Sequence, residues 1–154
     1  MANLILKNIS KDFNQTKVLS DITLEVNQGE FFSIVGPSGC GKSTLLRLIA
    51  GLEPQHPPTT GQVLVLDKPI LAPGPDRGMV FQDYGLYPHM NVFENIAYGL
   101  EARGMPKDEV KRRVEEAAGK LGLAPLIDRI IVDLSGGEQQ RVALARALAK
   151  NAEL

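Results

Sequence analysis

The sequence lacks the features that mark a secreted or membrane-spanning protein. It contains a single cysteine, so an internal disulfide is excluded and a reducing compartment is favoured. It has no run of about 18 apolar residues, so no segment is expected to span a bilayer. Residues 1–6 carry neither the basic nor the long apolar region of a signal peptide. Any role at a membrane is therefore expected to come through a partner.

The chain also lacks an excess of charge of either sign. Its 17 basic and 18 acidic side chains give a formal net charge of −1. No strong field is available to attract nucleic acid or anionic lipid, so any attraction of phosphate must be local. The 154 residues suit one domain, and a hydrophobic content of 44% is enough to build a core.

The richest chemistry lies in residues 36–43, which fit the phosphate-binding pattern G-x-x-x-x-G-K-[ST] at every fixed position. A glycine-rich turn lets backbone N–H groups approach phosphates, and the following helix directs its positive end toward them. Lys42 would add a charge at the β- and γ-phosphates, and the Ser43 hydroxyl would ligate Mg²⁺. An ordinary glycine-rich turn between a strand and a helix is the alternative.

Apolar patterns around this loop predict strands and one short helix. Residues 3–9 and 18–26 are predicted to be strands, and the alternation of Ile22, Leu24 and Val26 with polar residues predicts that the second is half-buried and antiparallel. Residues 31–35 are predicted to be a strand buried on both faces. A helix over 42–50 is expected to stop at Gly51. Further strands are predicted at 61–66 and 78–82, and turns or loops at 27–30, 53–60, 67–69 and 72–76.

Three more helices are predicted later in the chain. Asn91 and Glu94 form a capping-box pattern that opens a helix ending near residue 100. Pro106 suits the first turn of a helix ending near 120, and Ser135 opens one ending near 150. The apolar positions expected in the helices are Leu45, Leu48, Ile49, Val110, Val114, Ala117, Leu121, Val142, Leu144, Ala145 and Leu148. The expected ion pairs are Asp108–Arg112, Glu109–Arg113 and Glu116–Lys120, on a solvated face.

A second anion-binding helix end is predicted at residues 134–138, which read Leu-Ser-Gly-Gly-Glu. A serine and two glycines at a helix N-terminus offer free amides, a hydroxyl and the helix dipole. One domain with two such ends suggests a head-to-tail dimer in which each ATP lies between two chains.

Residues 36–43, Gln82 and 134–138 together resemble the Walker A motif, Q-loop and signature motif of the nucleotide-binding domain of ATP-binding cassette (ABC) transporters. The resemblance covers essentially the whole chain. It implies an α/β fold class, a P-loop NTPase core with N-terminal antiparallel strands and a helical insert, here incomplete. The implied division is a core at 1–83 and 133–154 and an insert at about 84–132.

The resemblance also implies roles for single residues. Phe13, near the end of the first strand, is expected to stack on adenine, unless it is simply a core residue. Gln82 is expected to sense Mg²⁺ and the attacking water. Lys42 and Gln82 are thus the catalytic candidates, and Ser43 and Gln82 the metal ligands. The residues expected to contact ATP are Phe13, Val18, Gly36, Pro37, Ser38, Gly39, Cys40, Gly41, Lys42, Ser43, Thr44, Gln82, Ser135, Gly136 and Gly137.

Two features depart from the family pattern. The signature motif ends in Glu138 where the family usually has glutamine, although the serine and glycines are retained. The Walker B aspartate, catalytic glutamate and switch histidine have no counterpart in the sequence, and neither His56 nor His89 occupies the switch position. We therefore expect contact with Mg-ATP without efficient hydrolysis, because Mg²⁺ support and water activation are missing. We also expect poor solubility or partial order.

The chain resembles the ATPase subunits of bacterial importers for sugars, polyamines, sulfate or iron in three segments, residues 78–82, 86–89 and 91–96. The implied protein is a peripheral ATPase subunit at the cytoplasmic face of the inner membrane. Its expected partners are a second ABC ATPase subunit, a membrane permease and, indirectly, a periplasmic or extracellular solute-binding protein, with no nucleic acid. The surface at 84–90 would receive a short permease helix, unless its apolar side chains belong to the core of the insert.

Two other functions stay open. A non-transport cassette ATPase could act in translation or DNA maintenance, although the short spacing from Lys42 to Ser135 excludes members with a long coiled coil between these motifs. The second open function is that of a regulatory or inactive nucleotide-binding module. Cys40 is either a small residue tolerated in the loop or a reactive thiol that Mg-ATP would protect from alkylation.

Overall fold

The computed structural model describes residues 2–52, 57–152 and 154, which form two compact units. The first unit contains the described residues up to Arg77 together with Leu154, and the second is Gly78–Ala152. Each unit has a hydrophobic core of its own. Part of the predicted proline-rich loop, including His56, lies outside the described residues. The division into core and insert stays a prediction.

Four antiparallel strands form the sheet of the first unit, in the order β2-β1-β3-β4. β1 spans Ala2–Phe13 and β2 spans Thr16–Asn27. Asn14 and Gln15 join them with positive φ values of 46° and 68°, as a tight two-residue hairpin turn requires. The predicted antiparallel pair is thus confirmed, with longer strands because the turn continues the ladder. β3 spans Thr60–Val65, and β4 spans Lys68–Pro69, which the sequence had predicted as loop.

Helix α1, Lys42–Ala50, forms where the sequence predicts it. Leu45, Leu48 and Ile49 are buried, as the apolar spacing predicts. Gly51 ends the helix in the left-handed conformation, with φ of 77°. The strand residues in the same core are Leu4, Leu6, Ile9, Leu19, Val26, Val63 and Val65, with Ile70 beyond β4.

The apolar run at residues 31–35 is not the doubly buried strand that its composition predicts. It is irregular, and Phe31 and Val35 are 93% and 91% exposed, while Ile34 packs partly against the core. A buried strand needs neighbours that pair with its backbone, and no described strand lies beside this segment. The strand predicted at 78–82 is wrong for the same reason, because that segment is also irregular and unpaired among the described residues.

The second unit is built from three helices, α2 (Val92–Glu101), α3 (Lys107–Lys120) and α4 (Gly136–Lys150). The capping box predicted at the start of α2 is confirmed. The Asn91 side chain accepts from the Glu94 amide, and the Glu94 carboxylate accepts from the Asn91 amide, both at 2.8 Å. None of the described helices is both long and apolar enough to cross a membrane. The core residues are Val92, Ile96, Ala97, Leu100, Val110, Val114, Ala117, Ala118, Leu123, Ile131, Leu134, Val142, Ala145 and Ala149.

The buried face of α4 differs from the prediction at two leucines. Val142 and Ala145 are buried as expected, whereas Leu144 and Leu148 are exposed. Three alanines, at 143, 145 and 149, are among the residues that α4 buries. Small side chains let neighbouring helices approach closely, so the packed face is defined by alanine rather than by leucine.

The charged face of α3 contains two of the three predicted ion pairs, Glu109–Arg113 and Glu116–Lys120. The Asp108–Arg112 pair is wrong, because Arg112 instead donates to Glu109 at 2.7 Å. The same carboxylate accepts from Arg113 at 2.7 Å, as predicted. These two hydrogen bonds, with Arg112 contributing most, lower the pKa of Glu109 to about 2. The surface is an internally neutralised network, in line with the predicted solvated face.

Candidate functional site

The glycine-rich loop at 36–43 is exposed at residues 36–40, and its last two residues form the start of α1. It turns at Cys40, whose amide donates to the Pro37 carbonyl at 3.4 Å. Gly39 and Gly41 have φ values of 81° and 95°, in the region that residues with a side chain rarely adopt. The loop can therefore follow this path only because glycine stands at these turning points.

Gly41 also lies close to β2. A Cβ atom at Gly41 would stand 2.8 Å from Leu19 Cδ2 and 3.1 Å from the Val18 carbonyl oxygen. A larger residue here would push the loop away from the strand. Two residues predicted to contact ATP, Val18 and Gly41, are thus brought together by the close approach of loop and strand.

The first turn of α1 offers backbone N–H groups to an external acceptor. Gly41 is its N-cap and provides no capping side chain, and the first turn contains no acidic residue. The first N–H groups of a helix have no partner within the helix and carry the positive end of its dipole. The Ser43 side chain is exposed beside them. This end of α1 is therefore able to accept an anion such as a phosphate.

Lys42 folds back over the loop. Its Nζ donates to the Gly36 carbonyl at 2.7 Å and to the Pro37 carbonyl at 2.6 Å, and lies 3.6 Å from Cys40 Sγ. An ammonium group has three donors, and phosphate oxygens are stronger acceptors than carbonyls because they are charged. The Lys42 ammonium is thus already held at the loop to which the phosphates would bind.

The loop fits the group that the sequence predicts for it. A Cβ atom at Gly36 would lie 2.8 Å from Cys40 Sγ, so a larger residue there would displace the Cys40 side chain within the loop. Backbone donors, one lysine and one hydroxyl form the donor set expected for a triphosphate with Mg²⁺. No three His, Cys, Asp or Glu side chains among the described residues could hold a metal by themselves. A magnesium ion at Ser43 would therefore take its other ligands from phosphate oxygens and water.

Phe13 lies at the last position of β1, as predicted, and is partly exposed. The Lys11 ammonium lies 5.1 Å from the centroid of the Phe13 ring. Phe13, Val18 and the glycine-rich loop all belong to the first unit. The stacking role of Phe13 stays a prediction.

Gln82 belongs to the second unit and is exposed in an irregular segment. The chain just after it is held by α4, because Arg146 donates to the Tyr84 carbonyl at 2.8 Å and to the Gly85 carbonyl at 2.7 Å. Burial lowers the pKa of Arg146. Arg146 therefore links the helix of the signature motif to the segment that follows Gln82.

Ser135 begins α4 as predicted, and it does so within a capping box. The Glu138 carboxylate accepts from both the backbone amide and the hydroxyl of Ser135, each at 2.7 Å. The Ser135 hydroxyl bond is the largest cause that lowers the pKa of Glu138. Glu138, the departure from the family pattern, is thus a structural part of the helix start. The Ser-x-x-Glu spacing in the sequence was the signal that could have predicted this box.

Asn95 is a buried polar residue that the sequence patterns did not reveal. It is 0% exposed, accepts from the Tyr87 amide at 2.8 Å, and donates to the carbonyls of Tyr87 and Asn91 at 3.1 and 2.9 Å. These bonds fix residues 87–91, which contain part of the predicted partner surface. A polar residue on the apolar face of α2 gives no sequence signal for such a role.

The glycine-turned loop and the open start of α1 are the arrangement of a P-loop nucleotide-binding domain. A model of the ABC transporter family matches residues 19–154, and the chain belongs to that family.

Similar curated proteins are import subunits. The chain is 52% identical to the sn-glycerol-3-phosphate import ATP-binding protein UgpC of Bordetella avium, over 97% of the chain and 42% of that protein. It is 51% identical to the protein of the same name from Ruegeria pomeroyi, over 100% of the chain and 44% of that protein. The chain thus spans about two-fifths of the length of these relatives.

Solved structures confirm the predicted fold class as a partial ABC ATPase fold. CbiO1 from Clostridium perfringens, part of the ABC transporter complex cbiONQ, is 28% identical with a TM-score of 0.85, over 98% of this chain and 62% of that one. The ATP-binding cassette MJ0796, in a dimeric post-hydrolysis state bound to ADP and Pi, is 34% identical with a TM-score of 0.84, over 97% of this chain and 70% of that one.

Proposed function

We propose that this chain provides the ATP-binding part of the ATPase subunit of an ABC importer. The observation that carries the proposal is the open N-terminus of α1, to which the glycine-rich loop leads, with the Lys42 ammonium held on the Gly36 and Pro37 carbonyls of that loop. The phosphates would accept from the loop amides and from Lys42, and Ser43 would ligate Mg²⁺. Phe13 and Val18 would contact the adenine. Bound ATP supplies the phosphoryl group, and these residues orient and neutralise it.

The signature motif supports a dimer. Ser135, Gly136 and Gly137 begin α4 and are exposed, so they are accessible to a second subunit. We assign them to the ATP bound at the Walker A loop of that second subunit, which is most simply a copy of this chain. The similar cassette MJ0796 was solved as a dimer, which supports this arrangement. To contact the phosphate, the Ser135 hydroxyl would have to leave Glu138.

A cavity in the second unit supports docking to a permease. Its volume is about 320 Å³, and its lining includes Phe81, Tyr87, Tyr98 and Arg146. The Tyr87 and Tyr98 rings lie 4.6 Å apart, and Tyr98 is exposed. Exposed aromatic side chains beside a cavity suit a short helix of a partner. The subunit would thus act as a peripheral protein at the cytoplasmic face of the inner membrane, and would respond to a solute-binding protein only through the permease.

The names of the relatives suggest a cargo, sn-glycerol-3-phosphate, and favour import over translation or DNA maintenance. The role in import can be tested with a chimera in which residues 1–154 replace the matching segment of UgpC. Restored uptake of sn-glycerol-3-phosphate in a strain without UgpC supports the proposal, and the same chimera with K42A should not restore it. Co-purification of the chain with ribosomes instead of a permease would contradict import.

ATP binding can be tested with a built-in reporter, because the sequence has no tryptophan. The F13W variant places a single indole at the expected adenine site. Mg-ATP should change its fluorescence, whereas Mg-tripolyphosphate, which has no base, should compete with ATP without causing the same change. An F13W chain whose fluorescence Mg-ATP leaves unchanged would refute contact between the base and position 13.

The hydrolysis activity of the 154-residue chain is expected to be weak. The chain spans about two-fifths of the length of its relatives, and phosphoryl transfer needs Mg²⁺ support and water activation that residues 1–154 would not supply by themselves. Phosphate release by this chain should be far slower than by a UgpC subunit. Equal rates would contradict the expectation, and an inactive complete subunit would favour a purely regulatory nucleotide-binding role.

A further inference from the structure

Lys11 is buried, although lysine is rarely buried without a partner. It lies on β1, is 9% exposed, and its Nζ donates to the Pro57 carbonyl at 2.7 Å. The same ammonium lies 5.1 Å from the centroid of the Phe13 ring. One charged group therefore contacts both the backbone of a neighbouring loop and an aromatic ring.

The Pro57 carbonyl is itself on an anchored segment. The Thr59 amide donates to the Ser10 carbonyl at 2.9 Å, and the Asp12 amide donates to the Thr59 hydroxyl at 2.9 Å. Residues 57–59 are thus fastened to β1 on either side of Lys11. The ammonium has little freedom to leave the ring, because its hydrogen-bond acceptor is fixed.

We propose that Lys11 is a positioning residue for Phe13, which holds the ring in the orientation that stacks on a purine base. Cation–π attraction favours the ring when its face is turned toward the ammonium. A ring that is already oriented loses less conformational entropy when a base binds, so it binds more tightly. Lys11 acts through Phe13 and does not bind phosphate, since its ammonium is buried and already donates to Pro57. This inference rests on the proposed ATP binding.

The test compares three substitutions of Lys11. K11M keeps an unbranched apolar stem and removes the charge. K11Q also removes the charge, but it keeps a side-chain N–H that can donate to the Pro57 carbonyl. It therefore separates the contribution of the hydrogen bond from that of the cation–π contact. K11R keeps a cation that can lie over the ring. Each is measured in the full chain by calorimetric titration with Mg-ATP and with Mg-tripolyphosphate, and thermal melts verify that each variant folds.

K11M and K11Q should weaken Mg-ATP binding by about 3- to 10-fold, as expected for loss of one cation–π contact and its preorganisation. Both should leave tripolyphosphate affinity unchanged, and K11R should restore part of the ATP affinity. In an F13A background, neither K11M nor K11Q should weaken ATP further, because the ring that Lys11 orients is absent.

Two results would overturn the proposal. One is an equal loss of affinity for ATP and tripolyphosphate, since that would mean that Lys11 supports the whole loop. The other is a loss that persists in the F13A background. If K11M does not fold, the same comparison is decided by K11Q and K11R. If the wild-type chain binds neither ATP nor tripolyphosphate, the proposed function is refuted, and the role of Lys11 with it. This outcome is distinct from the two above, in which the wild-type chain binds ATP.

Discussion

Two helices of this protein begin at glycine-rich motifs, but only one of them has its N-terminus capped by side chains. α1 begins at Gly41, which has no side chain to cap it, and no acid stands in its first turn. α4 begins at Ser135, whose amide and hydroxyl both donate to Glu138. The first helix end is open to an external anion, whereas the second is already neutralised by its own carboxylate. Similar composition thus gives two different electrostatic states, and the capping residue together with the residue three positions after it decides between them.

The largest effect is expected from K42A at the open end. The substitution removes the charge held over the loop, and a charge-assisted hydrogen bond contributes about 1.5–3 kcal/mol, so Mg-ATP affinity should fall about 10- to 100-fold. Calorimetric titration measures the loss. K111A, at an exposed lysine of α3, is the control and should bind as the wild type does. Unchanged affinity in K42A would mean that the open end of α1 does not bind the phosphates.

A smaller effect is expected from G41A, which tests why the open end needs glycine. Its φ of 95° and the close Leu19 and Val18 atoms leave no room for a Cβ, so the free energy of unfolding should fall by about 1–3 kcal/mol. G119A is the matched control, because α3 has open space at that position, and it should be stabilised by about 0.5–1 kcal/mol. Urea unfolding measures both. A stability of G41A equal to that of the wild type would contradict the strained path of the loop.

The closed end can be tested by pH. Ser135 lowers the pKa of Glu138 below its ordinary value, so this carboxylate stabilises the fold above the unfolded-state pKa and loses its contribution as pH falls through the folded-state pKa. The E138A variant should melt earlier than the wild type at pH 7, and the two melting temperatures should converge in acid. E138Q keeps the side-chain acceptor and should melt between them. A gap that is constant from pH 7 to acid would show that the charge of Glu138 plays no part.

The smallest effect concerns Cys40, which is exposed within the open loop. Iodoacetamide should modify it in the ligand-free chain, and Mg-ATP should slow the modification because the bound phosphates would cover the loop. K42A should remove most of this protection. Mass spectrometry of the modified peptide gives the rates. Equal labelling with and without Mg-ATP in the wild type would place the nucleotide elsewhere.

Features that depend on neighbours in sequence were predictable. α1 ends at Gly51 and α2 begins at the Asn91–Glu94 box because the residues that cap them are adjacent in the chain. The antiparallel strands β1 and β2 were predicted from their apolar patterns, although their length depended on a turn at Asn14 and Gln15 that the sequence did not reveal. Local chemistry thus accounts for most of the helix boundaries and for the phosphate loop.

Features that depend on distant partners were not predictable. The run at 31–35 has the composition of a buried strand, but a strand also needs a neighbour, and composition does not provide one. Asn95 and Lys11 became significant only through contacts with residues 87–91, Pro57 and Phe13. The candidate site was therefore predictable as a set of motifs, whereas the residues that hold it in position were not.

The exposed run at residues 31–35 has a consequence for hydrogen exchange. Among the described residues, none accepts a hydrogen bond from the backbone amides of this run, so these amides should exchange with deuterated solvent within the dead time of a mixing experiment. If a strand from any source pairs with the run, the same amides should become protected while α1 next to them is unchanged. Deuterium uptake of the peptide that contains these five residues thus reports whether a strand is paired with them.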